Sequence, residues 1–158
     1  MQLAIPFTEA LALATAREPL PPLVRSVRTQ GSVVHAEIDL REVPNVPWPV
    51  QMLGTVPVTA RLVSFGDGVA TVAVTAHVRA LPVHKLLPYV IGLIDAALRR
   101  QGLPPGLVEV RRDEGGPVLA IRVQDAVNTQ VDGITVTGLG LRDDVIYAAA
   151  TVGTVRLR

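Results

Sequence analysis

The sequence predicts an α+β domain: an internally duplicated helix-strand-hairpin unit, with two helices packed on a curved, mostly antiparallel sheet of six or more strands. Three observations predict it. A long helical stripe lies in the middle of the chain, alternating apolar and polar residues recur on either side of it, and the order of these signals repeats.

Ile5-Pro6-Phe7 opens a first helix in which Phe7, Ala10, Leu11 and Ala14 share a face, and Pro19, Pro21 and Pro22 prevent its continuation. Val34, Ala36, Ile38 and Leu40 then alternate with His35, Glu37 and Asp39, the pattern of a half-buried strand. Residues 41–55 form a Pro-rich connection in which Pro44, Pro47 and Pro49 bracket the only Trp, Trp48. Val56, Val58, Ala60 and Leu62 make the next strand, and Gly66-Asp67-Gly68 supplies the positive-φ positions of a tight hairpin. In the return strand Val72, Val74, Ala76 and Val78 oppose Thr71, Thr75, His77 and Arg79.

The central stretch from Leu81 to Pro105 carries the longest helical signal. Leu87, Val90, Ile91, Ile94 and Leu98 form one stripe, with Asp95, Arg99 and Arg100 off it. Pro88 suits a first turn, and Gly102 followed by Pro104 and Pro105 ends the helix. Leu119, Ile121 and Val123 then repeat the strand polarity, Val136-Thr137-Gly138 leads to a hairpin at Asp143-Asp144, and a closing strand runs from about Val145 to Thr151. Val108 to Arg112 and Val152 to Leu157 add candidate short strands. Leu20-Pro21-Pro22 before Val27-Arg28 matches Leu103-Pro104-Pro105 before Val110-Arg111, so two units of nearly equal length, 5–80 and 81–158, are expected within a single domain, 1–158.

Composition narrows the function classes. Hydrophobic residues are 49% and charged residues 18% of the chain, and the mean hydropathy is +0.39, so surplus apolar surface must be covered. No apolar run approaches the ~18 residues of a membrane-spanning helix, which leaves a cavity, a subunit interface or peripheral membrane contact. The net charge of +1 and the scarcity of aromatics argue against nucleic acid. The N-terminal residues lack a basic region ahead of their apolar run, so no signal peptide is expected and the cytoplasm is the expected compartment. Cysteine is absent, which removes disulfides and thiolate chemistry.

No catalytic or metal-binding signature is present, and no cofactor is expected. His35, His77 and His84 lack ligand-like spacing, and Ser26, Ser32 and Ser64 lie outside any nucleophile elbow. Asp113-Glu114 and Asp143-Asp144 sit at turns, where Asp bonds its own backbone. Gly138-Leu139-Gly140 lacks the third glycine and the helix of a dinucleotide fingerprint. Arg99, Arg100, Arg111 and Arg112 offer a basic edge, although cations at a helix C-terminus are explained by its dipole.

Strands of Val, Ala, Thr and Gly curving around amphipathic helices, with few aromatics to plug the middle, resemble the tubular lipid-binding (TULIP-like) superfamily. The resemblance is architectural, covers most of the chain and rests on no motif. It implies a sheet wrapped on a helix around an apolar groove for lipid-like molecules, lined here by Leu87, Val90, Ile94 and Leu98 with Val58, Val74, Ile121 and Val136. The expected function is a non-enzymatic binding module for an apolar or lipid-like ligand, with a cavity of at least a few hundred Å³. The alternative is a structural or interaction protein that buries its apolar surface by homo-oligomerisation or by docking to a larger assembly, with Trp48, Met52 and Leu53 at the contact.

Overall fold

A computed structural model describes residues 1–16, 19–43, 47–76, 91–92, 95–96, 98–114 and 116–158. The described residues form nine strands in two antiparallel sheets and several short helices. In chain order these are β1 (Gln2–Pro6), α1 (Phe7–Ala14), β2 (Val24–Gln30), β3 (Val33–Asp39), a 3-10 turn (Leu40–Glu42), α2 (Trp48–Gln51), β4 (Thr55–Gly66) and β5 (Val69–Ala76). The described part of α3 is helical at residues 91, 92, 95, 96 and 98–100. Then follow β6 (Val108–Asp113), β7 (Gly116–Arg122), α4 (Val123–Asn128), β8 (Val131–Arg142) and β9 (Val145–Leu157).

The mostly antiparallel architecture of six or more strands is present, but the strands divide between a six-stranded sheet, β2-β3-β4-β5-β7-β6, and a three-stranded sheet, β1-β9-β8. Period-two alternation sets the face of each strand and says nothing about which strands share a sheet. Pairing of Val34 with Ala60, Ala60 with Val74 and Leu62 with Val72 collects the apolar positions on one face of the larger sheet. The β4-β5 turn has positive φ at Asp67 (52°) and Gly68 (76°), and the β8-β9 turn has positive φ at Asp143 (51°) and Asp144 (63°). Two consecutive positive φ values are what a two-residue hairpin of right-handed twist requires, and aspartate tolerates them.

Several expectations change in detail. Residues 2–6, for which no strand is expected, form edge strand β1, whose Pro6 stands at the strand end where no ladder donor is needed. The Pro-rich connection contains α2, with Trp48 and Pro49 in its first turn. Val123 leaves the strand pattern and opens α4. The end of α3 is as expected: Gly102 has φ of 81°, its N–H donates to the Arg99 carbonyl (3.0 Å), and the Leu103 N–H donates to the Leu98 carbonyl (3.0 Å). That pair of bonds is the Schellman closure favoured by glycine. Leu87, Val90, Ile94, His77 and His84 lie outside the described residues.

Two apolar clusters anchor the larger sheet. Leu23, Leu40, Val43 and Val56 are buried together, with Ile38, Val50 and Val58 against them. Val108 and Leu119 are buried with Val72, Val74, Ile91, Leu98 and Ile121, which seats α3 on the sheet's apolar face.

Candidate apolar binding site

The three-stranded sheet docks at the end of the larger sheet where the β2-β3 and β4-β5 hairpins turn, and two polar clasps hold it there. In the first, the Gly31 N–H donates to Asp144 Oδ1 (2.9 Å), the Asp144 N–H donates to the Gly31 carbonyl (3.1 Å), and the Phe7 N–H donates to the Asp144 carbonyl (2.9 Å). One hairpin tip thus satisfies another, together with an otherwise unpaired donor at the start of α1.

The second clasp is Gln124 on α4. Its N–H donates to the Gly68 carbonyl (3.1 Å), its Nε2 donates to the Ile134 carbonyl (2.8 Å) and to Asn128 Oδ1 (2.8 Å), and its Oε1 accepts from the Val136 N–H (2.8 Å). The side-chain amide bonds β8 as a neighbouring strand would, which blunts that edge. Sequence reasoning passed over Gln124, because an amide that pairs with backbone ten or more residues away leaves no periodic signal. Gln124→Ala is expected to cost about 2 kcal/mol, since β8 loses both partners. Urea unfolding at neutral pH measures it, and a loss under 0.5 kcal/mol would show that water replaces the amide without penalty.

Between the clasps the sheets border an open apolar cleft of about 340 Å³. The larger sheet contributes Val34, Ala60, Leu62, Ala70, Val72 and Ile121, and the smaller contributes Leu139, Gly140, Leu141 and Ile146. Phe7 and Val123, the first residues of α1 and α4, complete the lining. The register explains the convergence: Ala70 stands opposite Ile121, Leu62 opposite Val72, and Leu141 opposite Ile146. Every described lining side chain is a hydrocarbon, and the volume falls within the range of small-molecule sites.

Of the residues expected to line a groove between helix and sheet, Ile121 borders this cleft between the two sheets. Val74 and Leu98 pack beside it around Val108 and Leu119, next to the lining residue Val72. Val58 packs in the other cluster with Leu23, Leu40, Val43 and Val56. Val136 stands on β8 with its N–H bonded to Gln124. Phe7, Leu139, Leu141 and Ile146 were not expected, although the hairpin at Asp143-Asp144 places Leu141 against Ile146 and could have led to them.

Trp48 and Met52 are 69% and 68% exposed and Leu53 is 37% exposed, so α2 and the turn after it present an apolar surface while Val50 packs inward. On the opposite face of the larger sheet, His35, Ser26, Arg28, Glu37 and Thr59 surround a small polar depression of about 110 Å³. No group of three or more His, Cys, Asp or Glu side chains is placed to hold a metal ion among the described residues. No helix among them is long and apolar enough to cross a membrane. The chain matches no protein-family profile, no curated protein and no solved structure.

Proposed function

We propose that the chain is a non-enzymatic binding module that holds an apolar or lipid-like ligand in the cleft between its two sheets. The observation that carries this reading is the open cleft of about 340 Å³ whose described side chains are all hydrocarbon. Water against these walls finds few hydrogen-bonding partners on the protein, so an apolar molecule gains by covering them. The resemblance to tubular lipid-binding proteins belongs to the same proposal, with the ligand between two sheets and not between one sheet and a helix. Duplication belongs to it as well: helix, hairpin, short helix, hairpin is the order of α1 to β5 and again of α3 to β9.

The first test is the intact mass of natively purified protein before and after denaturation, with identification of whatever is released. A co-purified apolar molecule supports the module. Ala60→Leu, which extends a side chain into the cleft, is then expected to weaken binding of N-phenyl-1-naphthylamine by about tenfold or more. Fluorescence titration reads this, and unchanged affinity would place the ligand elsewhere.

A second reading is favoured by the exposure of Trp48, Met52 and Leu53. Here the chain buries that surface against a second copy or a larger assembly, and aromatic anchors of this kind dominate protein interfaces. Sedimentation distinguishes it: a discrete oligomer that Trp48→Ala dissociates, with no ligand released on denaturation, would replace the binding module.

A further inference from the structure

We infer that α1 is a strap that settles onto the open cleft when an apolar ligand is bound, so that folding of this helix is coupled to binding; this inference rests on the binding-module reading. Phe7, its first residue, lines the cleft beside the first clasp, and the helix touches β2 of the larger sheet and β1 and β9 of the smaller. Its last turn, at Leu13 and Ala14, faces Arg100, Gln101 and Leu103 at the end of α3 and Gln130 after α4, across an open space of about 580 Å³. α1 therefore reaches from one clasp toward α4, the element that carries the other, with room to move against its neighbours.

Little holds α1 in place. Phe7, Ala10 and Leu11 form its apolar stripe and are only half-buried, and no residue of the helix is fully buried. Leu13 is 72% exposed. Pro6 at the N-cap offers no side-chain acceptor, and among the described residues a single backbone hydrogen bond, from the Phe7 N–H to the Asp144 carbonyl, ties the helix to another element. Its 8 residues also fall short of the ~12–15 at which an isolated helix begins to hold in water. An element with few buried apolar contacts and marginal length opens at low free energy. A hydrocarbon chain in the cleft supplies the apolar surface that Phe7, Ala10 and Leu11 lack, so ligand and helix stabilise each other, and the coupling is reciprocal.

The test uses the full chain, stripped of any co-purified molecule, with decanol as the ligand and displacement of N-phenyl-1-naphthylamine as the measure of binding. Amide exchange read by mass spectrometry is expected to be fast across α1 in the free protein and to slow by about tenfold or more at decanol saturation, while α2, which packs in the other apolar cluster, stays unchanged. Ala12→Gly tests the coupling without touching the cleft, since Ala12 is exposed and lies outside the lining, and glycine weakens a helix interior. The variant is expected to bind decanol about threefold to fivefold more weakly than the parent. Its urea midpoint without ligand is expected to be unchanged, because α1 contributes little to the cooperative core. Decanol binding without protection of α1, or parental affinity in Ala12→Gly, would overturn the inference and leave the binding module standing. A lowered midpoint in ligand-free Ala12→Gly would also overturn it, by showing that α1 already folds with the rest of the chain. Failure of both decanol and N-phenyl-1-naphthylamine to bind would remove the inference and the binding module together.

Discussion

Gly133→Ala is expected to destabilise the protein by about 3 kcal/mol or more. Gly133 has φ of 90°, where an L side chain is strained, and an alanine Cβ there would collide with the Thr154 carbonyl oxygen and lie 2.6 Å from its carbon. The obstacle is backbone and cannot rotate away. It arises because the β8-β9 register shifts here: Asp132 pairs with Arg156 but Ile134 with Val152, so Gly133 alone faces the three residues 153–155. An irregularity of this kind bends the pair and sharpens its twist, which only a residue without Cβ accommodates at the contact point. Two other glycines separate strain from collision. Gly31 has φ of 65° with nothing within 4 Å of an added Cβ, so Gly31→Ala carries the conformational cost alone, about 1–2 kcal/mol. At Gly68 the Cβ would come within 2.6 Å of Gln124 Cβ, an atom that moves only with the start of α4, so the cost exceeds that at Gly31 and stays below that of the collision with a strand carbonyl at Gly133. Urea unfolding of the three variants should rank them Gly133, Gly68, Gly31. A Gly133→Ala protein no less stable than Gly31→Ala would show that β9 moves freely at Thr154.

The parts of this fold that sequence reasoning reached are those fixed by neighbours along the chain. Alternation placed Val34, Ala60, Leu62 and Val72 on one face, Gly102 closed α3, and Asp143-Asp144 turned the last hairpin, each through local sterics or backbone bonding. The division into two sheets was not accessible in that way. Leu119-Ile121-Val123 shows the same period whether the chain continues straight or turns after Arg122, and the turn is held by Gln124 reaching Gly68, Ile134 and Val136. The cleft was only partly accessible for a related reason. A hydrocarbon face reads alike whether it meets another side chain or a void, so Ile121 could be named among the lining residues while Val58, with the same pattern, packs in a filled core. Asp39 is the clearest departure, because alternation assigned it to a polar outer face and the structure buries it completely.

Replacing Asp39 by asparagine is expected to lower stability at neutral pH and to remove a pH dependence that the parent protein shows in acid. Asp39 is 0% exposed, and its carboxylate accepts from Arg25 Nη2 (2.6 Å), Arg41 Nε (3.0 Å) and the Arg41 backbone N–H (3.0 Å). That last bond caps the 3-10 turn leading to Leu40 and Val43, so the charge also positions two residues of the first apolar cluster. The hydrogen bonds from Arg41 and then Arg25 outweigh the effect of burial and hold the carboxyl well below the usual carboxylate range. With the folded-state value depressed, the unfolded chain binds the proton first as acid is added. The stabilisation is therefore complete above the unfolded value of about 4 and is lost as pH falls below it toward the folded value. Asparagine keeps the shape and forfeits the charge, so the difference between parent and variant urea midpoints should be full near pH ~7 and shrink progressively below pH ~4. Salt should reduce the difference, because the Arg25 and Arg41 side chains are 50% and 64% exposed and their attraction to the carboxylate is partly screened. A difference that stayed constant from neutral pH into acid would mean that Asp39 serves through shape and capping alone, with its charge contributing nothing to folding.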